Sequence, residues 1–263
     1  MKMSYRFLFF GFLLITAATI SAVSFSDNFN RANSSNAGNG WTGVVEQSGG
    51  TSGISGNRLF VSNGTNESIG DNFIYRDMGS TLSNVTVSGV LKMEALGDKT
   101  TAFYLGINAT QAELTNYGNA AYNAYTKGYG VYGDIYVDEL FVLDRSVSSN
   151  FWGNDANIAR QSLARTAFHF TDNVDYNFEI VYGTNDSITA TFWKTSQQRP
   201  SGASIQFTPS GQAQYSGTNL FFGITDEGRL EIDDLLVTNI PEPSSLLLIA
   251  LSLSCVFLRR KRN

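Results

Sequence analysis

Two groups of carboxylates have residue types and spacings that could serve glycoside hydrolysis. Glu231 and Asp233 are two residues apart, so on a β-strand both would face the same side. Hydrolysis of a glycosidic bond needs two carboxyl groups, about 5–5.5 Å apart for retention or about 6.5–9.5 Å apart for inversion. Leu236, three residues after Asp233, adds no further carboxylate on this strand, and the acidic segment from Asp134 to Glu139 does not repeat the two-residue spacing. We therefore predict a non-enzymatic protein, and a polysaccharide-active hydrolase or lyase is the alternative.

Three aspartates are candidate ligands for a hard cation. Calcium prefers several oxygen ligands from carboxylates, amides and carbonyls. Asp27 lies in an early strand pattern, and Asp233 and Asp234 lie in a late one, so the three meet only if those strands are neighbours. The sequence has no Asp-x-Asp-x-Asp-Gly loop. A structural calcium site at these residues is one hypothesis, and hydrogen bonding or capping of the closing strand is the other.

Aromatic and amide side chains in two polar segments are typical of sugar recognition, in which rings stack on sugar faces and planar polar groups bind hydroxyls. Tyr122 and Tyr125 lie in a Gly/Asn/Ala-rich segment, and Trp152 and Asn154 lie in Phe-Trp-Gly-Asn-Asp. These four residues are the candidate ligand-binding residues. The alternative for each aromatic residue is packing against a sheet.

The rarest residue types exclude several kinds of site. The chain has one histidine, His169, within Phe-His-Phe, and one cysteine, Cys255, near its C-terminus. A histidine without a second histidine or a thiol supports neither a zinc site nor a catalytic triad, so we predict that it lies on a sheet face. With one cysteine there is no disulfide framework, and the fold depends on its hydrophobic core.

The charge of the chain is negative, −5 in total. Six of its 18 basic residues lie in the two end segments, so acidic residues outnumber basic ones nearly two to one elsewhere. Nucleic-acid-binding proteins cluster lysine and arginine to neutralise phosphates. We therefore predict no nucleic-acid partner, and membrane contact only through a terminal segment.

In the central region, short alternating apolar runs separated by Gly, Asn and Asp predict β-strands joined by turns. In Tyr176–Tyr182, large apolar residues alternate with Asn177 and Glu179, as expected of an antiparallel sheet with one wet face. About twelve strands of this kind predict an all-β, two-sheet antiparallel sandwich of the jelly-roll kind. The predicted strands are Phe25–Asn30, Arg58–Ser62, Phe73–Met78, Asn84–Leu96, Thr101–Asn108, Gly128–Asp144, Thr166–Thr171, Val174–Tyr182, Ser187–Lys194, Ser204–Thr208, Asn219–Thr225 and Leu230–Val237.

The N-terminal segment has the three parts of a secretory signal peptide. Lys2 and Arg6 are basic, residues 7–20 are almost wholly apolar, and Ala22 and Ser24 are small residues at a cleavage position. We predict that residues 1–24 are removed on export.

The C-terminal segment combines a helix breaker, an apolar run and a basic end. The run Leu246–Leu258 has 13 residues, against roughly 20 for a comfortable membrane-spanning helix. Basic residues directly after the run hold that end in the cytoplasm. The sequence therefore predicts a short transmembrane helix suited to a transient anchor.

This segment resembles the PEP-CTERM sorting signal of Gram-negative bacteria. The resemblance covers about 24 residues and rests on the tripeptide, the Leu-rich run and the terminal basic cluster in that order. It implies processing near the tripeptide by an exosortase-type enzyme, and a link to biofilm and exopolysaccharide production. The recognition residues that it implies are Pro241, Glu242, Pro243, Arg259, Arg260, Lys261 and Arg262.

The central region resembles concanavalin A-like lectin/glucanase domains of secreted bacterial proteins. The residues that carry the resemblance are Phe25–Ala32 with Gly40-Trp41, and the closing segments Phe221–Ile224 and Leu230–Val237. The resemblance implies a jelly roll whose first and last strands are neighbours. It also raises the structural calcium hypothesis, because related jelly rolls often hold one.

These observations divide the chain into a signal peptide at 1–24, a sandwich at 25–239 and a sorting signal at 240–263. We predict an exported protein of the cell surface or extracellular matrix, transiently anchored in the inner membrane, with an exosortase-type enzyme and a polysaccharide as candidate partners. A purely structural matrix protein without a ligand is a further hypothesis.

Overall fold

The chain forms a two-sheet antiparallel β-sandwich, as predicted. The computed structural model describes residues 24–45, 50–64, 71–97, 101–111, 114, 129–135, 138–144, 162–183, 185–208, 217–225 and 227–240. The strands in these ranges are β1 (Ser24–Asp27), β2 (Trp41–Val45), β3 (Thr51–Ser55), β4 (Arg58–Ser62), β5 (Asp71–Asp77), β6 (Val85–Ala95), β7 (Ala102–Ala109), β8 (Tyr129–Asp134), β9 (Glu139–Asp144), β10 (Ser162–Ala167), β11 (Asp175–Tyr182), β12 (Ile188–Lys194), β13 (Ile205–Phe207), β14 (Asn219–Thr225) and β15 (Gly228–Asn239).

One sheet has eight strands, in the order β13-β12-β11-β6-β15-β4-β3, and β1 also pairs with β15. The last strand therefore lies inside the sheet, between β6 and β4. Along β11 each even-numbered residue from Tyr176 to Tyr182 is buried, and each odd-numbered residue is half-buried. This pattern confirms the predicted alternation of a buried and a wet face.

The other sheet has seven strands, in the order β10-β9-β8-β7-β14-β5-β2. Its central strand β7 is buried at every residue from Ala102 to Ala109. A sheet in a two-layer sandwich normally has one face exposed to solvent. Because β7 is buried on both sides, another segment of the same polypeptide must cover its outer face.

Aromatic rings fill much of the space between the sheets. Phe170 is fully buried, and its ring centroid lies 5.2 Å from that of Phe103 and 5.4 Å from that of Phe192. Elsewhere in the core, Trp41 stacks on Phe222 at a centroid distance of 5.5 Å. Offset and edge-to-face contacts of this kind add to the free energy gained by burial.

The first and last strands are neighbours, which confirms the arrangement that the resemblance implied. Ser24 pairs with Thr238, and Asp27 pairs with Leu235, in an antiparallel register. Residues at the two ends of the sandwich sequence therefore meet at one edge of the eight-stranded sheet.

Several predicted strand bounds were wrong. The single strand predicted at Gly128–Asp144 is replaced by two antiparallel strands, β8 and β9, and Asp138 just before β9 has φ 54°. The strand predicted at Thr166–Thr171 is β10, which ends at Ala167. Strands β2 and β3 were missed, since Gly43 and Gly53 interrupt their apolar patterns.

The strand directions define two ends of the sandwich. At one end, which we call the tail end, Val85 pairs with both Asn239 and Tyr182, and the neighbouring Leu82 exchanges two hydrogen bonds of 2.7 Å with the Asn108 side chain near the end of β7. At the far end, Gly228 pairs with Ala95. Among the residues described, no helix is long and apolar enough to cross a membrane, and the run Leu246–Leu258 lies outside them.

Candidate functional site

The outer face of the seven-stranded sheet carries a second hydrophobic cluster, which we call the aromatic face. Its members are all buried and separate from the core between the sheets: Val44, Phe73, Tyr75, Ala102, Tyr104, Ala109, Leu114, Tyr132, Phe141 and Phe221. Leu114 belongs to no strand of the sheet, yet it is only 1% exposed. The chain just after β7 therefore folds back over this face.

Glycines set the depth of the aromatic face. At Gly106 a Cβ would overlap the Phe221 ring, and at Gly223 it would overlap the Phe73 ring. The rings can lie flat against the sheet because these two positions lack side chains. Asp134, only 3% exposed, lies beside this face and accepts a long hydrogen bond of 3.4 Å from the Tyr132 hydroxyl.

Long connections begin and end at the tail end of this sheet. They comprise residues 110–128 between β7 and β8, residues 145–161 between β9 and β10, and residues 208–218 between β13 and β14. The first two connections exceed about 12–15 residues, a length that is uncommon in compact domains and that often belongs to binding loops or to linker segments. The described strand ends therefore direct the long connections of the seven-stranded sheet to one end of the molecule.

The four predicted ligand-binding residues belong to these connections by sequence. Tyr122 and Tyr125 lie in 110–128, and Trp152 and Asn154 lie in 145–161. All four are outside the described residues, as are the sorting residues from Pro241 to Arg262, so their assignment stays a prediction.

Asp27 is held by a dense set of hydrogen-bond donors. Arg31 binds it in bidentate fashion at 2.8 and 3.1 Å, and the Asn39 amide and the Trp41 indole donate to Oδ2 at 2.9 and 3.1 Å. The Phe29 amide donates to Oδ1 at 2.9 Å. Burial opposes ionisation of the carboxyl group, but these donors and the Arg31 charge outweigh burial and lower the pKa of Asp27.

A cavity of about 570 Å³ opens beside Asp27, at the edge where β1 meets β15. Six of its eight lining residues are polar, among them Asn28, Arg31, Asn39 and Asp234. Planar amide, carboxylate and guanidinium groups of this kind can bind the hydroxyls of a neutral polar ligand. Leu236, 40% exposed, also lines it and supplies an apolar wall.

The three aspartates of the calcium hypothesis serve different contacts in the described structure. Asp27 and Asp234 line the same cavity, but the Asp27 oxygens already accept hydrogen bonds from Arg31. Asp233 faces Arg58 at 3.9 Å and accepts a hydrogen bond from the Asp234 amide. Within the described ranges, no group of three or more His, Cys, Asp or Glu residues is placed to hold a metal ion.

Glu231, the first residue of the hydrolase-like spacing, is surrounded by cations. Its oxygens lie 2.9 Å from Lys92 Nζ, 2.8 Å from Arg229 Nε and 3.7 Å from an Arg58 nitrogen. Arg58 also forms a bidentate pair with Asp175 at 2.6 and 3.1 Å. This charged network spans four neighbouring strands of the eight-stranded sheet, and it fixes Glu231 as an ion-pair partner.

Two carboxyl groups around Arg58 should affect stability in opposite directions. The Arg58 guanidinium lowers the pKa of Asp175, whereas burial raises the pKa of Asp233. Asp175 therefore stabilises the fold at pH values above its unfolded-state pKa of about 3.9, and this contribution is lost as the pH falls through the lower folded-state pKa. Ionised Asp233 carries a net penalty at neutral pH.

We therefore expect Asp175→Asn to lower the free energy of unfolding at pH 7. In this variant the free energy of unfolding should also decrease less as the pH falls below about 4. Asp233→Asn is the matched variant and should raise stability at pH 7. Urea denaturation from pH 3 to pH 7 measures both effects, and a loss of equal size from the two variants would contradict the assignment.

His169 lies just after β10 and faces solvent, 69% exposed in its side chain, with Nδ1 2.5 Å from Asp138 Oδ1. Its neighbours Phe168 and Phe170 both pack into the aromatic cluster between the sheets. The position of His169 therefore follows from the two phenylalanines beside it.

The end of the described structure leads directly into the C-terminal signal. Ile240 donates its amide to the Asn84 carbonyl at 2.8 Å, and the Asn84 side-chain amide donates to the Ile240 carbonyl at 2.7 Å. Residues 239–262 match the family model described as the PEP-CTERM protein-sorting motif. The chain carries a PEP-CTERM sorting motif. Its first two matched residues, Asn239 and Ile240, are held by the sandwich, so the PEP-CTERM motif starts at the surface of the fold.

Solved structures with a similar fold are lectin-like. The VIP36 exoplasmic/lumenal domain in metal-free form has a TM-score of 0.55 and 12% identity, covering 84% of this chain and 92% of that one. The carbohydrate recognition domain of Emp47p gives 0.54 and 11%, covering 82% and 95%. VIP36 bound to Ca²⁺ and Man2 gives 0.53 and 13%, covering 85% and 91%. No curated protein sequence matches the PEP-CTERM chain.

Sequence reasoning missed the residues that complete these sites. Asn39 and Trp41 reach Asp27 only because the chain turns through Phe29, Gly38 and Asn39, all with positive φ. No spacing in the sequence indicates the Asp27–Arg31 ion pair, because residues four apart meet on a helix but lie about 13 Å apart on an extended strand.

Proposed function

We propose that this protein is exported, processed at its PEP-CTERM motif by an exosortase-type enzyme, and binds a polysaccharide at the cell surface or in the extracellular matrix. The mature protein would comprise the sandwich of residues 25–239, without the signal peptide 1–24 and without most of the signal 240–263. Its link to biofilm or exopolysaccharide belongs to this proposal.

One observation carries the binding part of the proposal. The strands that border the aromatic face direct the connections 110–128 and 145–161 to the tail end, and these connections contain Tyr122, Tyr125, Trp152 and Asn154. Rigid strands that bring long, aromatic connections to one end form a typical scaffold for a binding site. The lectin-like fold and the polar cavity beside Asp27 support the same conclusion.

The charges around Glu231 support a binding protein rather than a hydrolase. Both oxygens of Glu231 are engaged in ion pairs within the sheet, one with Lys92 and one with Arg229, whereas a catalytic carboxyl group must be free to contact the substrate. Structural calcium stays a hypothesis for residues at the β1–β15 edge, and the Asp27 contacts favour a hydrogen-bonding role for that carboxylate.

Replacing the candidate aromatic residues tests the binding site. We expect Trp152→Ala to weaken binding to the polysaccharide of the producing bacterium by about 10-fold or more, because stacking on one aromatic ring contributes about 1–3 kcal/mol in comparable base-stacking sites. Trp193→Ala is the matched control, since Trp193 is half-buried on the eight-stranded sheet, where it lies under Arg199. Equal loss from both variants, or no binding by the unaltered protein, would count against the site.

The sorting part has a separate test. Replacing Pro241, Glu242 and Pro243 by alanine should stop removal of the tail and leave the protein in the membrane fraction. Intact-mass analysis of the secreted form and of the membrane-bound form measures this, and an Arg-rich tail retained in the unaltered secreted protein would contradict processing.

A further inference from the structure

Hydrogen bonds to the sandwich fix the position at which the C-terminal tail, residues 241–263, begins. Ile240 and Asn84 exchange the two hydrogen bonds described above, and Asn239 pairs with Val85. Asn84 has φ 53°, a left-handed conformation that asparagine tolerates better than most residues. The chain therefore leaves the fold at a fixed point immediately before Pro241.

The same end of the sandwich carries the long connections. Leu82, two residues before Asn84, exchanges hydrogen bonds with the Asn108 side chain, next to the point where residues 110–128 begin. Just before β14, which pairs with β7, the amide of Gly217 donates to the Asn108 carbonyl at 3.1 Å. The exit point of the tail and the origins of these connections are thus joined by a short chain of hydrogen bonds.

The length of chain between the fold and the apolar run limits their separation. Five residues, Pro241 to Ser245, lie between Ile240 and Leu246. Six steps of the chain therefore separate Ile240 from Leu246, and since an extended chain spans at most about 3.3–3.6 Å per step, the tail end lies within about 22 Å of the hydrocarbon core when the run is inserted. The lipid headgroup layer on that side fills about 5–8 Å of this distance.

We propose that the inserted tail holds the tail end of the sandwich against the membrane and so masks the surface there, around Ser80 and Asn84, and that processing near Pro241–Pro243 unmasks it. This inference rests on the proposed function. The precursor would then be unable to capture polymeric ligand at the membrane, and binding would begin only after release. The far end stays accessible throughout, because strands β6 and β15 separate it from the tail.

Cysteine labelling in lipid vesicles tests the masking without knowledge of the ligand. The sandwich has no cysteine, so Cys255→Ser gives a clean background for Ser80→Cys at the tail end or Ser196→Cys at the far end. Both serines are exposed and lie in turns. The chain without its signal peptide is inserted into phosphatidylethanolamine/phosphatidylglycerol vesicles, and labelling by a bulky polymer-linked maleimide is compared with labelling by a small maleimide.

The quantity compared is the labelling rate with the bulky maleimide divided by the rate with the small maleimide. We expect this ratio to be about tenfold lower at Ser80→Cys than at Ser196→Cys, since the five residues before the apolar run leave a gap between sandwich and membrane that is too narrow for the bulky reagent. A Gly/Ser linker inserted between Ile240 and Pro241 should bring the two ratios together. Equal ratios in the chain without the linker would overturn the proposal.

Asn84→Gly gives a second, finer variant. Glycine keeps the left-handed backbone and the Ile240 amide bond, but it removes the side-chain bond, which is worth about a fivefold change in an equilibrium. We expect a partial rise in labelling at Ser80→Cys, whereas Asn173→Gly, also at positive φ but at the far end, should give none.

A chain that shows masking yet binds no glycan after release would contradict only the proposed function. A chain that binds glycan yet labels equally at both ends would contradict only the masking.

Discussion

Replacing Asp27 by alanine should lower the free energy of unfolding by about 3 kcal/mol, because it leaves buried donors without their acceptor. The Asp27 side chain is 3% exposed, and it accepts hydrogen bonds from Arg31, Asn39, Trp41 and the Phe29 amide. Asp27→Asn should cost less, since one oxygen acceptor remains. Urea denaturation at pH 7 measures both losses.

The pH dependence gives this prediction a second readout. Because the folded-state pKa of Asp27 is lowered, its contribution is present above the unfolded-state value of about 3.9 and is lost as the pH falls through the lower folded-state pKa. The difference between the unaltered protein and Asp27→Asn should therefore shrink below about pH 4. Asp234→Asn is the control at the same cavity, because asparagine tolerates the left-handed backbone of this position (φ 47°). Since Asp234 is exposed, we expect little change in stability, and a loss from Asp234→Asn as large as that from Asp27→Asn would contradict this account.

Replacing Phe170 by alanine should cost about 3–5 kcal/mol, the usual range for a fully buried phenylalanine. Its ring contacts those of Phe103, Phe168, Tyr176 and Phe192, with centroids 4.6–5.4 Å away. The variant leaves a cavity where the segment after β10 crosses the gap between the sheets. Thermal or urea denaturation gives the loss.

Phe170→Leu is the matched control because it keeps most of the volume, and it should cost clearly less than the alanine variant. His169→Ala changes the neighbouring residue, which is exposed, and should have a small effect. If alanine and leucine at position 170 cost the same, the loss does not come from the cavity, and the volume argument is contradicted.

The sequence predicted those parts of the fold in which one strand face is wet. In β11 the alternation from Tyr176 to Tyr182 is visible because Asn177 and Glu179 lie on the solvent side. Strand β3 is rich in Gly, Ser and Thr, and Gly43 interrupts the apolar residues of β2, so neither sequence shows the alternating pattern of a strand. In β7 both faces are buried, and the period of the strand itself does not show that Leu114, in the segment after β7, packs on its outer side.

The candidate sites were predictable to a smaller extent. The resemblance correctly placed Asp27 next to the closing strand, but the donors around Asp27 depend on the turn geometry between β1 and β2. The ion pairs of Glu231 with Lys92 and Arg58 connect strands far apart in the chain. Such pairs depend on register, which the sequence of one strand alone does not determine.

The position of β15 has a consequence for the order in which the protein can fold. Its neighbours β6 and β4 were made much earlier, yet they are joined only through this last strand. The eight-stranded sheet therefore cannot close while residues 228–239 are still being delivered, and pairing over such long sequence separations is slow. If the chain crosses a membrane N-terminus first, its eight-stranded sheet stays incomplete until β15 has been delivered. The incomplete chain stays extended enough to pass through a narrow translocation channel.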